Sequence, residues 1–454
     1  MAEFYRKYFR VILTLKSPLT IGSGENEKTD SDVIVDSSGR PFIPATSLVG
    51  VIRNYVYKKY GRAAANQIFG FIPATAEENK QAKENNRDYI ERKSQIIVYD
   101  AILNAADEKS YFITNRDMVK LENKVAVDGA KFDMEAIEPG VGFTAYIELL
   151  TNDGCCDMYV KEALAAMNAG IVRLGSKTTR GYGEVGLEVK EREFEDVDSW
   201  LEFDMMEDDK WESASIVNLA GQPTEGCEIT VGLRQKGGLS IREYTTQTST
   251  EGKTMPDYIT MGLHSRKDGN GEQIPVIPGT SWAGAFRERY KEFSDEATAK
   301  ELFGIVEQVR ELKEDVKKDV KKEVKTVAKK SRITFSESKL SGGTYKLVTR
   351  NAIDRFTGGT KNGALYTEKA YFDGETELKI TFMEKPDDSV LTRISACLAD
   401  LHNGFMAVGG LTSVGRGLFE IVSVNENVLS SEEQKPENIF NAITGRLKGD
   451  AENE

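Results

Sequence analysis

The chain repeats itself at a fixed distance, and that repeat limits its fold more than any other feature. The run Leu174-Gly175-Ser176-Lys177-Thr178-Thr179-Arg180-Gly181-Tyr182-Gly183 returns 234 positions later as Val408-Gly409-Gly410-Leu411-Thr412-Ser413-Val414-Gly415-Arg416-Gly417. The same offset carries Pro44, Thr46, Ser47, Gly50 and Arg53 onto Pro278, Thr280, Ser281, Gly284 and Arg287. It carries Phe69-Gly70 onto Phe303-Gly304, slips by three at Ser94 and Ser331, and is back in step at Gly129 and Gly363. A helical stripe of Val160, Ala163, Leu164, Met167 and Ile171 recurs as Ile394, Cys397, Leu398, Leu401 and Phe405. So many anchors on one offset mark a tandem duplication.

Each copy reads alike. An opening strand (Phe9–Leu15; Glu228–Leu233) leads through a polar loop to a short strand ending in Pro44 or Pro278. Thr46-Ser47 and Thr280-Ser281 are N-cap residue types, and Leu48, Val51, Ile52 and Tyr55 follow at helical spacing. Strands with an insertion come next, then the second helix, the glycine run and a last strand. The order βαββαβ predicts an α+β fold of two tandem ferredoxin-like (RRM-like) domains with inserted subdomains. The expected boundaries are 1–192 for the first domain, 193–225 for an acidic linker, 226–427 for the second domain and 428–454 for a C-terminal tail. The tail carries one short helix near Pro436 to Leu447. The charged insertion 306–330 reads as a solvated helix or hairpin, with a nucleic-acid or subunit contact as the alternative.

Composition narrows the function. With 60 Lys and Arg against 73 Asp and Glu, the net charge is −13, which argues against a generic polyanion binder but leaves room for a local basic groove. The four cysteines (Cys155, Cys156, Cys227 and Cys397) fit no zinc spacing and no disulfide framework, so a reducing cytoplasm is expected. The opening Met1-Ala2-Glu3 is unlike a signal peptide, and no apolar run approaches membrane-span length. His264 and His402 are the only histidines, so histidine metal sites and Ser–His–Asp triads are poorly supplied.

The glycine run offers backbone N–H groups, hydroxyls and a cation, which suit a phosphate chain. Gly170-x-x-x-x-Gly175-Ser176-Lys177-Thr178 nearly matches a P-loop. Its lysine is one residue late, and a helix precedes it where a P-loop needs a strand. An NTP site is therefore disfavoured.

Assembled, these residues resemble the RAMP superfamily of CRISPR-associated proteins, and most of all the backbone subunits of type III effector complexes. The resemblance is carried by Leu19-Thr20-Ile21-Gly22-Ser23-Gly24, by Phe42-Ile43-Pro44-Ala45-Thr46-Ser47-Leu48-Val49-Gly50 with Arg53, and by Arg180-Gly181-Tyr182-Gly183. The second copy supplies Val276-Ile277-Pro278-Gly279-Thr280-Ser281, Asn351-Ala352-Ile353-Asp354-Arg355-Phe356-Thr357-Gly358 and Ser413-Val414-Gly415-Arg416-Gly417. The resemblance implies a guide-RNA-binding backbone subunit, two fused copies in one chain, that works with other effector subunits and complementary single-stranded target RNA. It further implies thumb-like hairpins that open the guide–target duplex, and metal-dependent endoribonuclease cleavage at a loop aspartate. An architectural subunit with inert aspartates and a guide-processing endoribonuclease are the rival readings.

Under that resemblance Asp30 falls on the catalytic and metal-binding position of the first copy, with Asp32 as the competitor. Asp257 does so in the second, with Asp268 as the competitor. Asp30 lies 14 residues before Pro44 and Asp257 lies 21 before Pro278, which an insertion near Arg266–Glu272 would explain. The cofactor implied is a loosely held Mg²⁺ or Mn²⁺, which needs only one or two protein carboxylates. Lys177, Thr178, Arg180, Thr412, Ser413 and Arg416 are the loop candidates for RNA contact, with Ser47, Arg53, Ser281 and Arg287 on the first helix of each copy. Against this stands a glycine turn that only packs helix on sheet. The lysines common in the family after the Ser-Ser-Leu are replaced by Val49, Val51, Ala283 and Ala285. His264 is a lone candidate for RNA cleavage, and Tyr244, Tyr258 and Trp282 for base stacking; surface or core packing is the plainer reading of each.

Overall fold

A computed structural model describes residues 4–22, 32–84, 89, 91–122, 125–219, 227–244, 256–312 and 322–449. The chain divides into two compact units, Met1–Thr178 with Tyr182–Thr224, and Thr179–Gly181 with Glu225–Glu454.

In the first unit β1 (Arg6–Leu15) is followed by β2 (Phe42–Ile43), α1 (Ala45–Phe69), α2 (Ala76–Lys83), β3 (Ile96–Val98) and β4 (Ala101–Leu103). The hairpin β5 (Ile113–Glu122) and β6 (Val125–Ile137), then β7 (Gly142–Leu149), α3 (Gly154–Asn168), β8 (Val185–Phe194), α4 (Val197–Leu201) and β9 (Ser215–Ile216) complete it. The sheet runs β2-β4-β7-β1-β8-β9 with β3 also on β7, so the opening strand lies between the third and last strands of the βαββαβ core. Strand alternation assigns the two faces. Phe9, Val11 and Leu13 oppose Ile147, Ala145 and Phe143 and face the helices in the core. Val160, Ala163, Leu164 and Met167 of α3 are buried there, with Leu48, Ile52 and Tyr55 of α1.

Tyr8 and Tyr146 point to the opposite face, and the acidic segment covers them. Expected as a linker, it folds back over its described residues and seats Trp211, fully buried, with Trp200, Phe203 and Met205 in an aromatic cluster around Tyr8, Tyr146 and Phe194. Trp200 Nε1 donates to the Tyr8 hydroxyl at 2.9 Å, Trp211 Nε1 donates to the Met205 carbonyl at 3.0 Å, and Arg10 pairs with Asp208. Its aromatics follow no helical or strand period, so pattern reading passes over them.

The second unit repeats the plan with β10 (Cys227–Lys236), β11 (Arg242–Tyr244), β12 (Tyr258–Thr260), β13 (Gly262–Lys267), β14 (Gln273–Ile277), α5 (Gly279–Glu292) and α6 (Glu296–Phe303). Next come β15 (Ile305–Leu312), β16 (Lys322–Lys329), β17 (Ile333–Phe335), β18 (Ser338–Lys339), β19 (Thr344–Ile353), β20 (Thr360–Phe372) and β21 (Glu375–Phe382). The unit closes with α7 (Asp388–His402), β22 (Leu418–Val424), β23 (Asn427–Val428) and α8 (Ile439–Gly449). Its central sheet, β17-β21-β10-β22-β23, has the strand order of the first unit. β19 and β20 join β11 and β12 in a second sheet. The charged insertion is the hairpin β15–β16. The expected tail is α8, whose Ile439, Ile443 and Leu447 lie in the core.

Two local expectations change. Pro44 and Pro278 occupy the N-cap positions without a side-chain cap, and Thr46, Ser47, Thr280 and Ser281 lie inside the first turn. In the first unit Asp100 Oδ1 accepts from the Ala45 N–H at 2.6 Å. Phe405 falls beyond the end of α7 and is 71% exposed, outside the stripe formed by Ile394, Cys397, Leu398 and Leu401. Among the described residues no helix is long and apolar enough to cross a membrane.

Candidate functional site

The two glycine runs form the same clasp. In the first unit the Leu174 N–H donates to Gly183, Ser176 to Thr20 and Gly183 to Pro18, at 2.9, 2.8 and 2.8 Å. In the second the Val408 N–H donates to Gly417, Gly410 to Ser240 and Gly417 to Gly238, at 2.9, 2.7 and 3.0 Å. In each copy the first of these amides closes the clasp on itself, and the other two tie it to the strand-end segment, Pro18 and Thr20 or Gly238 and Ser240. α3 precedes the first clasp and β8 follows it, the reverse of a P-loop.

What the clasp presents is its crest of side chains. Lys177 and Leu411 occupy equivalent positions, both with φ of 55° in the left-handed region that non-glycine residues rarely adopt. Strain of this kind persists only where the surroundings enforce it. Lys177 is exposed, its Nζ 5.1 Å from the centre of the Phe132 ring; Arg180 is exposed and Thr178 half-buried. On the second crest Ser413 is exposed and Thr412 half-buried, while Val414 is 58% exposed.

Arg416 departs from its expected place on that crest. It is 4% exposed and its Nη2 lies 2.5 Å from Glu368 Oε1, itself buried. Its first-unit counterpart Tyr182 packs with Met134 and Ala136. The shift of the basic residue between copies is thus an exchange of an apolar contact for an ion pair.

The first-helix candidates spread out. Arg53 is exposed, its Nη2 3.5 Å from Asn66 Oδ1, and Ser47 and Ser281 are half-buried. Arg287 is half-buried, and its Nε has no hydrogen-bond partner among the described residues.

The aspartates align through backbone landmarks. The Ile34 N–H donates to Ile21 at 2.9 Å, and the Met261 N–H donates to Ile241 at 2.8 Å. Asp30 stands four residues before the first of these and Asp257 four before the second. Asp30 itself lies outside the described residues. Asp257 is exposed; its N–H donates to the Thr367 carbonyl at 2.8 Å and its Oδ2 accepts from the Thr367 N–H at 2.7 Å. Its Oδ1 makes no hydrogen bond or ion pair among the described residues. An exposed carboxylate with one oxygen so placed fits a magnesium or manganese ion that takes one or two protein ligands.

Asp268 does a different job. Its Oδ1 accepts from the N–H groups of Asn270 and Glu272, as Asp36 Oδ1 accepts from Ser38 and Arg40, so both close the turn before the strand into proline. Met261 lies seven residues before Asp268 where Ile34 lies two before Asp36, and Asp268 lies ten before Pro278 where Asp36 lies eight before Pro44. The longer spacing of Asp257 from its proline is thus a lengthened hairpin, β13–β14.

His264 is held from both sides, Nε2 at 2.8 Å from Glu243 Oε1 and Nδ1 at 3.1 Å from Gln273 Nε2. Trp282 is fully buried core, Tyr258 is half-buried, and the Tyr244 side chain lies outside what the structure describes. Asn351–Gly358 forms the tip of the β19–β20 hairpin, where Asp354 Oδ1 accepts from Phe356 and Thr357 and the Phe356 ring is 92% exposed. The cluster of Arg242, Arg350 and Arg416 around Glu368 was not anticipated, because its members lie far apart in sequence.

Among curated proteins none matches the chain. Among solved structures it is similar to a chain of the type III-B Cmr-beta complex bound to cognate target RNA, seen by cryo-electron microscopy, at 20% identity and a TM-score of 0.31. That similarity covers 42% of this chain and 61% of the other, short of two thirds of its length. Residues 12–186 and 259–420, one stretch in each copy of the repeat and together most of the chain, match the RAMP superfamily. The duplicated clasp and the duplicated sheet order thus have a common origin: the chain belongs to the RAMP superfamily, which it contains twice.

Proposed function

We propose that the chain is a tandem backbone subunit of a type III CRISPR effector, binding guide RNA through both units and cleaving complementary target RNA at Asp30 and Asp257. The observation that carries the reading is the placement of both aspartates four residues before matching backbone hydrogen bonds, each in a unit with the same clasp. Lys177 and Arg180, each exposed, would supply cations to phosphates, and the hairpin tip bearing Phe356 would supply an apolar wedge. Asp257 would hold a divalent ion through Oδ1 while Thr367 fixes its carboxylate. The ion would offset charge on the phosphate. The carboxylate would also help move the 2′-hydroxyl proton. The complex would work in the cytoplasm with other effector subunits.

One observation favours a second reading for the second unit, an architectural role. Asp257 Oδ2 already serves Thr367, so the carboxylate has a structural duty of its own.

The test is cleavage of target RNA by the assembled complex with Mg²⁺, mapped to the nucleotide, for wild type, Asp30→Asn and Asp257→Asn. Loss of a different cut in each variant supports two active units. Unchanged cuts in both would sink the catalytic assignment and leave the binding role.

A further inference from the structure

Four charged residues of the second unit converge on β20. Glu368 is 3% exposed. Around it stand Arg416 Nη2 at 2.5 Å from Oε1, Arg350 Nη2 at 3.7 Å from the same oxygen, and Arg242 Nη2 at 3.6 Å from Oε2. Only the first pair is within hydrogen-bonding distance. Guanidinium groups stay charged at any relevant pH. Three of them against one carboxylate leave two positive charges in excess, since neither Arg242 nor Arg350 has another carboxylate partner among the described residues.

The excess is not sealed inside. The Arg242 and Arg350 side chains are 31% and 33% exposed, while that of Arg416 is 5% exposed, with its Nε lacking a hydrogen-bond partner among the described residues. The Arg242 Cζ lies 4.5 Å from the centre of the Tyr258 ring, and its Nε donates to Ser240 Oγ at 3.1 Å. Tyr366 stands edge-on to Tyr258 at 6.1 Å. A guanidinium carries five N–H donors, so one held by an aromatic ring and a hydroxyl still has N–H groups to offer an acceptor. An anion placed there would be met by two charge-assisted donors, the stronger kind of hydrogen bond.

The matching positions of the first unit carry different residues. Met134, Tyr182 and Pro18 stand where Glu368, Arg416 and Gly238 stand in the second, and Arg116, the match of Arg350, is 3% exposed. The two units have thus placed their cations differently. The first shows Lys177 on its crest, and the second shows Leu411 at the equivalent position.

We infer that Arg242 and Arg350 form a phosphodiester-binding subsite peculiar to the second unit, which takes a backbone phosphate of an RNA strand beside Asp257, with Glu368 and Arg416 as the pair that positions them. The inference rests on the RNA-binding reading above and adds to it where the second unit grips.

The experiment measures binding of a single-stranded RNA to the full chain by fluorescence anisotropy across salt concentrations. It compares wild type, Arg242→Gln, Arg350→Gln, both together, Arg242→Lys, and Lys177→Gln with Arg180→Gln. Each lost phosphate contact lowers the salt slope by about 0.7. The double Arg242/Arg350 variant is expected to lose about 1.4 of slope and roughly tenfold or more in affinity, with Arg242→Lys recovering most of the slope at unchanged melting temperature. If the double variant binds as wild type does while the crest variant weakens, the subsite is refuted and RNA binding by the chain stands. If wild type binds no RNA, the RNA reading fails, and a melting-temperature titration with inorganic pyrophosphate decides the subsite alone. A rise in wild type that the double variant lacks supports an anion site there, and no rise in wild type refutes it.

Discussion

Gly417 stands so close to Val408 that a Cβ on it would lie 1.9 Å from the Val408 carbonyl oxygen, and Gly183 stands in the same relation to Leu174. Both also have positive φ, 74° and 76°. The glycines are therefore required by the clasp itself, and this is the structural half of what the glycine runs do.

Alanine at Gly183 or Gly417 is expected to cost about 2–4 kcal/mol, because backbone has to move to make room. Alanine at Gly415, with φ of 80° but nothing within 4 Å of its Cβ, is expected to cost only about 1 kcal/mol. Urea denaturation of the three variants checks the ranking. Equal losses would contradict the close-packed clasp.

The Arg416–Glu368 pair predicts a coupled pair of substitutions. Glu368→Met alone strands the buried Arg416 guanidinium and is expected to cost about 3–5 kcal/mol. Arg416→Tyr alone removes the hydrogen-bonded partner of Glu368 but leaves Arg350 and Arg242 at 3.7 and 3.6 Å, and is expected to cost less. The double variant copies the first unit's Met134 and Tyr182, and is expected to recover more than half of the summed loss. A double-mutant cycle reads the coupling directly.

His402 predicts a pH dependence. Its Nδ1 accepts from the Ile421 N–H at 3.0 Å and its Nε2 lies 2.8 Å from the Gln434 carbonyl oxygen, so the neutral ring with the proton on Nε2 satisfies both. Burial, opposed only in part by the Gln434 carbonyl, holds its pKa below the ordinary 6.5. In the window between that lowered value and 6.5 the unfolded chain takes up the proton and the folded chain does not. This contribution to stability is complete above about 6.5 and is lost as pH falls through the folded pKa. Wild type is expected to lose more stability than His402→Gln between pH 7.5 and 5, and parallel pH profiles would contradict this.

Trp211 predicts that the acidic segment is structural. Trp211→Ala is expected to cost about 3–5 kcal/mol, as for any large buried aromatic, although the residue lies outside the repeated core. Thermal denaturation checks it, and a loss below about 1 kcal/mol would return the segment to the role of a linker.

Asp257 allows charge and hydrogen bonding to be separated. Asp257→Asn can still accept from Thr367, so the expected outcome is an unchanged melting temperature with at least ~100-fold slower cutting at the second site. Asp257→Ala should lose stability as well.

The sequence was most legible where period and spacing carry the information. The α3 and α7 stripes, the opening strands and the glycine runs follow from alternation, helical spacing and a repeated offset, and these are enough to order the core. Side-chain geometry was not legible. Arg416 reads as a surface cation beside glycines, yet Gly238 leaves the space that its guanidinium fills: a Cβ there would lie 1.5 Å from Nη1. The prolines, not the threonines, begin α1 and α5, because the acceptor that serves the first turn of α1 comes from Asp100, far along the chain. The turn shared by Asp36 and Asp268 could be recognised only once their hydrogen bonds were seen side by side.

The exchange of Tyr182 and Met134 for Arg416 and Glu368 also bears on how the two halves of the gene can change. A duplicated gene is open to recombination that copies one half onto the other. Here a transfer confined to one clasp would set Tyr182's counterpart against a buried Glu368, or an arginine against Met134. Either product loses a partner that lies in a different segment of the same half. Selection would remove such hybrids, so each half keeps its own matched set and is free to diverge in what it binds.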